Sequence, residues 1–503
     1  MRSNRQKYEP LLRRLQSPQS TVKVRTVACP GGTVWVLYIK QLLDVEALAE
    51  QVIKPLTLRC ENAFTKPQAK KVAESVLYTA DCWVETNEDS IEAHVYGGMA
   101  VLLFSHDDAY IVVNLRQIAH RSIPTPEITY SVRGPKDSFV ENLEVNLSLI
   151  RYRIKDPNLR IDTFELGRRT KTPMAVIYLQ DVANETAVTE IENRIRRIDT
   201  DAIWGTGDIQ NFLSNTKHDL FPQMGITERS DAACEAIVEG KVLLLADGGQ
   251  IALVAPHTFS ESMMTCDDRY DNKIFGLFSR LIRYLAYFIA LCSSSVYVAL
   301  VSFHTDALPG SYAILLAQLR QNVLFPAMVE VLIVETIAEL VREALLRVPT
   351  KIGTAIGIVG AIIIGQAATA AGIFDSLLLI IVSASLLASF AVPDYFSMHP
   401  VRILKFLLIF MTGIMGFYGF ILAMSFVLIS LVSIDSFGVP YFAPFAPFNR
   451  YDFKRAFIFS RSTSAKRMQY MKTKDDTRSS TVPDSVETNC QLGSSGGSAP
   501  GGK

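Results

Sequence analysis

The residues best suited to chemistry are acidic ones placed inside an apolar segment, Val323 to Arg347, which reads "VLFPAMVEVLIVETIAELVREALLR". Six charged side chains interrupt it: Glu330, Glu335, Glu339, Arg342, Glu343 and Arg347. An acidic group at the centre of a bilayer costs about 3 kcal/mol, whereas a large apolar residue returns only about 0.3 to 0.6 kcal/mol. We therefore expect a helix that does not face lipid on all sides.

The charges of this helix share one face. Glu335, Glu339, Arg342 and Glu343 follow at i, i+4, i+7 and i+8, opposite an apolar stripe formed by Ile333, Ile337, Leu340 and Ala344. One interpretation is a salt-bridge face at the membrane surface or between subunits, with Glu339 near Arg342 and Glu343 near Arg347. The other is that the acidic stripe, together with Glu330, lines a water-filled vestibule and concentrates cations.

A second segment is rich in small residues at a regular spacing. Every fourth position of "KIGTAIGIVGAIIIGQAATAAGIF" is small: Gly353, Gly357, Ala361, Gly365 and Thr369. Small residues let helix backbones approach closely inside a membrane, where lipid supplies no hydrophobic driving force between helices. Such a helix packs either within one subunit or between identical subunits in a closed ring. Thr354 and Gln366 are its clearly polar side chains, and they either bond between helices or face a pore.

These helices belong to a membrane region. Four segments have roughly the 20 apolar residues needed to cross a bilayer: Tyr284 to Thr305, Ile352 to Phe374, Ser376 to Pro393, and Phe406 to Ile434. The amino terminus lacks the apolar core of a secretory signal. Nine basic against three acidic residues between Arg450 and Arg478 favour the cytoplasmic side. We expect both termini in the cytosol and an even number of crossings.

The composition of the chain argues against several classes of function. The chain has 503 residues, with 50 basic and 50 acidic ones, so net charge gives no argument for nucleic acid. Seven cysteines without a CxxC spacing indicate reduced thiols, with neither a zinc site nor a disulfide framework. Seven histidines show no ligand spacing and no pairing with a nucleophile motif. We expect no catalytic residues, no metal and no cofactor.

The region before the membrane is expected to be α+β. The stretches "YGGMAVLLFSHDDAYIVVNL" and "EGKVLLLADGGQIALVAP" share one plan, a helix ending at glycine and then a hairpin. This weak duplication predicts two related subdomains. The predicted architecture is thus an α+β cytosolic region, residues 1–130 and 131–275, an all-α transmembrane domain of four to five helices, residues 276–450, and a basic, largely disordered cytosolic tail, residues 451–503.

The stretch "RGPKDSFVENLEVNLSLIRYRIKD" starts like a phosphate-binding loop, but it lacks the GxxxxGK[ST] spacing. We expect a helix capped by Asp137 or Ser138. Asn146 falls on its apolar stripe, so its amide should be hydrogen-bonded. The surrounding arginines are expected on a solvated face or in salt bridges.

Three blocks of residues together resemble one family, the A subunits of the GerA-type spore germination receptors. The first block comprises Arg133, Gly134, Pro135, Phe139, Glu141, Leu143, Asn146, Leu149, Ile150, Arg151, Arg153, Asp156 and Leu159, followed by Gly167, Arg168 and Arg169. The second comprises Glu339, Arg342, Glu343, Ala344, Arg347 and Pro349, and the third is the small-residue helix. The chain departs from the family's DGxP turn at Gln250 and from the second block at Leu345.

The resemblance implies a subunit of a complex in the inner spore membrane that senses nutrients and triggers germination. It implies two partners, a transporter-like B subunit and a lipoprotein C subunit. It also implies that the A subunit is the candidate for an oligomeric, ion-conducting ring in contact with membrane lipid. The alternatives are a non-conducting scaffold or signal-transducing subunit and, ranked lower, a solute transporter, for which no inverted repeat is visible.

Overall fold

A computed structural model shows two β-sheets followed by long apolar helices. The structure describes residues 5–15, 22–29, 32–63, 68–116, 126, 133–214, 220–269, 273–321, 323–347, 366, 369–457 and 466–477. Within these residues the predicted fold class, an α+β region and then helices, is confirmed.

The first sheet has five antiparallel strands in the order β1-β2-β4-β5-β3. Its strands are β1 (Lys23–Cys29), β2 (Gly32–Tyr38), β3 (Cys82–Glu85), β4 (Ala100–Phe104) and β5 (Tyr110–Val113). Both faces are covered, because Leu102 and Phe104 of β4 pack into one apolar cluster and Val101 and Leu103 into another. The covering helices are α1 (Arg5–Leu15), α2 (Val45–Leu48), α3 (Lys54–Ala63), α4 (Ala69–Ser75) and α5 (Ser90–Tyr96).

The second sheet repeats the first. Its order is β6-β7-β9-β10-β8, again antiparallel throughout. Its strands are β6 (Leu159–Leu166), β7 (Thr172–Leu179), β8 (Gly225–Thr227), β9 (Val242–Ala246) and β10 (Ala252–Ala255), and its helices are α6 (Leu143–Arg153), α7 (Glu185–Arg196), α8 (Thr206–Leu213) and α9 (Ser230–Val238). The prediction of two related subdomains is thereby confirmed.

The helix of the arginine-rich stretch starts later than predicted. α6 begins at Leu143, and its cap is Asn142, whose side chain accepts from the Val145 N–H. Asp137 instead accepts from Arg153 at 2.7 Å and from Ser230. The amide of Asn146 is hydrogen-bonded, as expected, because it accepts from Val140 N at 2.8 Å and donates to Val140 O at 2.6 Å.

Among the described residues, two helical segments have the length and apolar composition to cross a membrane, Ile274–Ser302 and Met398–Ser433. The helices of the apolar half are α10 (Phe259–Ser262), α11 (Lys273–Ser302), α12 (Gly310–Arg320), α13 (Ala327–Arg347), α14 (Ser376–Ala391), α15 (Met398–Ser433) and α16 (Arg450–Phe457). The predicted span Ile352 to Phe374 lies mostly outside the described residues.

α15 is a helical hairpin and not one straight span. A straight helix of its 36 residues would be about 54 Å long. Both ends nevertheless meet His257, through Asp394 (Oδ2 to Nε2, 3.5 Å) and Ser436 (Oγ to backbone N, 3.1 Å). The chain reverses at Gly416, whose φ of 62° and ψ of −144° suit glycine. The prediction of one span over Phe406 to Ile434 is therefore wrong, and each arm is roughly 25 Å long.

After the hairpin the chain returns to the second sheet. A short ribbon, β11 (Asp435–Ser436) and β12 (Val439–Pro440), follows α15, and Phe437 packs into the apolar cluster beneath the second sheet. Arg455 of α16 then bonds both carboxylate oxygens of Glu239 at 2.9 and 3.1 Å. Residues 451–457 and 466–477, part of the tail predicted to be largely disordered, thus pack against the second subdomain, and the rest of that tail lies outside the described residues.

Candidate functional site

The acidic residues predicted on α13 lie in three layers of ion pairs between the membrane helices. The middle layer contains Glu335, which is 1 % exposed. Its Oε1 accepts from Ser294 Oγ of α11 at 2.6 Å, and its Oε2 accepts from Lys405 Nζ of α15 at 2.6 Å. One carboxylate thus joins three helices.

The second layer contains Glu339 and two arginines. Glu339 Oε2 lies 2.6 Å from Arg402 Nη2 of α15, and Glu339 Oε1 lies 3.0 Å from Arg342 Nη1 on its own helix. Lys405 Nζ is also 3.5 Å from Glu339 Oε1, and this contact links the layer of Glu339 to the layer of Glu335. Arg342 in turn donates to Ser389 of α14 at 3.2 Å.

The third layer contains Glu330, whose side chain is fully buried. Arg320 Nη1, at the end of α12, donates to Glu330 Oε2 at 2.8 Å, and the backbone N–H of Asp375 donates to Glu330 Oε1. Asp375 caps α14 and accepts from the Tyr297 hydroxyl at 2.8 Å. This layer holds α11, α12, α13 and α14 together.

The three layers balance in charge. Four carboxylates, from Glu330, Glu335, Glu339 and Asp375, face four cations, from Arg320, Arg342, Arg402 and Lys405. Because buried charges are tolerated where partners compensate the loss of water, such a network is stable only when intact. The opposite side of α13 is apolar and open, since Leu340 is 64 % exposed. The helix therefore turns its charges toward its neighbours.

The remaining predicted membrane residues lie outside this network. Glu343 pairs with Arg347 at 2.8 Å on an exposed face. Thr369 donates from its hydroxyl to the backbone oxygen of Gln366 at 3.0 Å, and the Gln366 residue is exposed. Thr354 and the small residues Gly353, Gly357, Ala361 and Gly365 lie outside the described residues, so their predicted roles stay predictions.

The arginine-rich block ties the second subdomain together. Arg153 bonds Asp137 and donates to Ser230 Oγ at 2.9 Å, while Arg168 forms a two-bond pair with Asp199. Burial raises the pKa of Asp137, but bonds from Arg153 and Ser230 outweigh it, so the pKa lies below its ordinary value. Arg151 is 2 % exposed, and burial lowers its pKa to about 10.

The three other residues of this block lie in turns. Arg133 is exposed, and Gly134 and Pro135 are half-buried in the segment before α6. Gly167 has a φ of +89°, which a side chain would strain, and it leads from β6 into the turn that carries Arg168.

Sequence reasoning found Arg342 but missed the other three cations of the network, Arg320, Arg402 and Lys405. Arg402 and Lys405 stand three residues apart at the head of an apolar run, and Arg320 ends a short amphipathic segment. Isolated cations of that kind signal buried partners when they precede a membrane helix. The signal was therefore present, but the pairing needed the hairpin fold of α15.

Comparison with known proteins decides the family. A model described as "Bacillus/Clostridium GerA spore germination protein" matches residues 10–470. The chain belongs to this GerA family. It is 35% identical over 434 residues to spore germination protein A1 of Bacillus subtilis (strain 168), which covers 86% of this chain and 89% of that protein. It is 34% identical over 421 residues to spore germination protein KA of the same organism, covering 84% and 77%.

One solved GerA-related structure also matches. It is the crystal structure of the N-terminal domain of the A subunit of the Bacillus megaterium spore germinant receptor GerK3, at 21% identity and a TM-score of 0.39, covering 50% of this chain and 94% of that one. The chain described here is thus a spore germination protein of the GerA family, and two of its described helical segments are long and apolar enough to cross a membrane. Its relatives are named as germination proteins.

Proposed function

We propose that this GerA-family chain is a receptor A subunit that assembles with further copies of itself into a nutrient-gated ion pathway. Its partners would be a transporter-like B subunit and a lipoprotein C subunit in the inner spore membrane. The observation that carries the proposal is the row of carboxylates on α13, in which Glu330 and Glu335 are buried and Glu335 is held between α11 and the first arm of α15.

The network supports a closed state of such a pathway. Glu330, Glu335 and Glu339 are all paired within one copy, and opening the pathway would separate α13 from Arg320 of α12 and from Arg402 and Lys405 of α15. Nutrient binding at a partner shifts that equilibrium by its difference in affinity for the two states, and a change from 1:99 to 99:1 takes about 5.5 kcal/mol. The Glu335–Lys405 pair is then the closed-state contact.

The packed tail supports the topology. Arg455 and Arg467 follow the last membrane helix, and both bond the second subdomain, at Glu239 and at the Val238 carbonyl oxygen. The region before α11 and the tail after α15 therefore lie on one side of the membrane, which requires an even number of crossings between them. With the basic tail on the cytoplasmic side, both regions are cytosolic.

Ion release from spores tests the proposal. In spores that carry Glu335→Gln or Glu339→Gln, potassium release after addition of a rich nutrient mixture should fall at least tenfold, although the protein stays in the membrane. Glu343→Gln is the matched control, because that glutamate is exposed and pairs only along its own helix. Normal potassium release from both the Glu335 and the Glu339 variants would rule out a pore role for these carboxylates.

A scaffold role is the second candidate, and the closed pairing within one copy favours it. In that role the glutamates hold the helices together and conduct nothing. Reconstitution of the complete receptor in planar bilayers, with nutrient present, separates the two. Single-channel currents support the pathway, whereas a silent, correctly assembled receptor supports the scaffold.

Self-association has its own test. Gly357→Leu and Gly365→Leu would keep neighbouring helices apart, since small side chains permit the close approach. We expect cross-linking in native membranes to yield the ladder of oligomers for the parent chain and a monomer for the variants. A monomer in both would overturn the ring of identical subunits.

A further inference from the structure

A cavity of about 380 Å³ lies where the second subdomain meets the membrane helices. Four parts of the fold supply its walls: β8, β10 and α9, the turn around α10 with the segment up to Asp268, Arg280 of α11, and the loop from Pro393 to Phe396 that precedes the hairpin α15. The charge network described above contributes nothing to it. Pockets of this size hold small organic molecules.

One end of the cavity carries an excess positive charge. Asp268 accepts from Arg280 Nε at 3.2 Å and from Arg283 at 2.8 Å through both of its oxygens. Among the described residues, Asp268 is the carboxylate that bonds both guanidinium groups, so this end holds two bonded cations and one bonded anion. Arg280 lines the cavity and is 5 % exposed, and among the described residues its Nη2 has no acceptor. This end is suited to an acidic group.

Another part of the wall carries a negative charge. Asp394 accepts from Ser397 Oγ at 2.5 Å and lies 3.5 Å from His257 Nε2, whose nearest hydroxyl is Ser262 Oγ at 2.9 Å. The Asp394 carboxylate and the Ser262 hydroxyl thus form a group of oxygen acceptors on the cavity wall. It is suited to an ammonium group, which donates to carboxylate and hydroxyl oxygens.

The other charges of the wall are largely paired with one another. Lys241 Nζ lies 2.5 Å from Glu261, and Arg229 forms a two-bond pair with Asp231, with Glu235 on the next turn of the same helix. Apolar side chains complete the wall, namely Ile226, Val254, Met264 and Phe396. A bound molecule therefore needs charges of both signs and a short apolar portion.

We propose that this cavity binds a small zwitterion, with its acidic group at Arg280 and its ammonium group at Asp394. Two sources have this chemistry: a free amino acid with an aliphatic side chain, and the headgroup of phosphatidylethanolamine. The site lies at the root of α15, because Asp394 precedes Met398 by four residues. A ligand there contacts both the second subdomain and the hairpin that carries Arg402 and Lys405.

Isothermal titration of the purified full chain in phosphatidylglycerol nanodiscs tests the free ligand. The probes are L-leucine, 4-methylpentanoate, which lacks the ammonium group, and 3-methylbutylamine, which lacks the carboxylate. We expect saturable binding of leucine and at least tenfold weaker binding of both analogues. Equal binding of all three probes would overturn the proposal.

Variants locate the binding in this cavity. Asp394→Asn keeps an acceptor for the Phe396 N–H but removes the negative charge, and should weaken leucine binding about tenfold. Ala232→Phe fills the cavity from α9 and should abolish it. Asp181→Asn, an exposed aspartate elsewhere on the subdomain, should bind as the parent does. Parent-like binding by both cavity variants would refute the assignment.

A second measurement, in discs of a different lipid, distinguishes the free amino acid from the lipid headgroup. If the phosphatidylethanolamine headgroup occupies the site, the thermal midpoint of the parent rises in discs containing that lipid, and Asp394→Asn abolishes the rise. Absence of leucine binding together with absence of this lipid-dependent rise would overturn the proposal. Because both readouts are binding measurements on one chain, they stand even if the receptor proves non-conducting, so failure of this site and failure of the ion pathway are separable.

Discussion

At the scale of single residues, Lys405 matters most, because its ammonium group lies between two carboxylates inside the membrane half. It is 5 % exposed and contacts Glu335 at 2.6 Å and Glu339 at 3.5 Å. Removing one partner of a buried pair leaves the other without compensation, and this costs about 3 to 5 kcal/mol.

Lys405→Met should therefore lower the free energy of unfolding by roughly 3 kcal/mol. The double variant Lys405→Met, Glu335→Gln should recover part of the loss, because it leaves no unpaired carboxylate at that position. Thermal unfolding of the detergent-solubilised chain measures both. Arg347→Met, in an exposed pair, is the control and should leave the midpoint unchanged.

Asp137 makes the stability of the second subdomain depend on pH in the acidic range. Its pKa is lower in the fold than in the unfolded chain, since Arg153 and Ser230 bond the charged form. Such a group stabilises the fold above the unfolded pKa of about 3.9, and the contribution is lost as the pH falls through the folded value. We expect Asp137→Asn to be less stable than the parent at pH 6 and the difference to shrink below pH 4. Limited proteolysis across this pH range would show it, and a constant difference would contradict it.

At the scale of elements, the reversal in α15 depends on one glycine. A Cβ on Gly416 would lie 3.0 Å from Phe303 Cγ, and its backbone conformation is one that side chains rarely adopt. Gly416→Ala should cost about 1 to 3 kcal/mol and loosen the arms, which differential scanning calorimetry would detect as a lower midpoint. The control is Gly276→Ala, in the ordinary helical part of α11, where an added Cβ has no close neighbour. This variant should leave the midpoint unchanged. Equal midpoints for the two variants would argue against the hairpin.

The sequence predicted the two sheets but not the start of α6 or the reversal in α15, and each outcome has a physical reason. The duplicated sheets were visible because strand alternation and turn residues are local signals, and the amide of Asn146 was predicted because a polar side chain on an apolar stripe must be bonded. The start of α6 was misplaced, since Asp137 found a better partner in Arg153. The hairpin was missed because Gly416 is one of several glycines in an apolar run, and only contacts at both ends reveal the reversal.

At the scale of the whole molecule, the reversal and the packed tail predict which loops share a side of the membrane. Asp435, beside the second sheet, should lie on the same side as Asp181, and Asp306, beyond the far end of α11, on the other. Single-cysteine variants at these three positions, in a chain without its native cysteines, can be labelled with a membrane-impermeant maleimide in sealed vesicles. Labelling of Asp306→Cys together with Asp435→Cys would contradict the arrangement.

The tail also contributes to stability, through the buried pair of Arg455 and Glu239. The two side chains are 1 % and 7 % exposed. Glu239→Gln should lower the free energy of unfolding by about 3 kcal/mol, whereas Glu185→Gln, in an exposed contact with Lys474, should change little. Equilibrium unfolding in denaturant would measure both, and equal effects would show that the tail is not anchored there.

The pair of Glu239 and Arg455 also constrains the order in which parts of the chain can pack during synthesis. Glu239 leaves the ribosome 216 residues before Arg455. At typical rates of synthesis, the ion pair between them can therefore form only roughly 10 to 40 s after Glu239 has emerged. During that interval every membrane helix must be inserted. The second subdomain is thus completed by a segment that follows the described membrane helices, so a nascent chain arrested before Arg455 would expose the incomplete packing surface around Glu239 to proteases and chaperones.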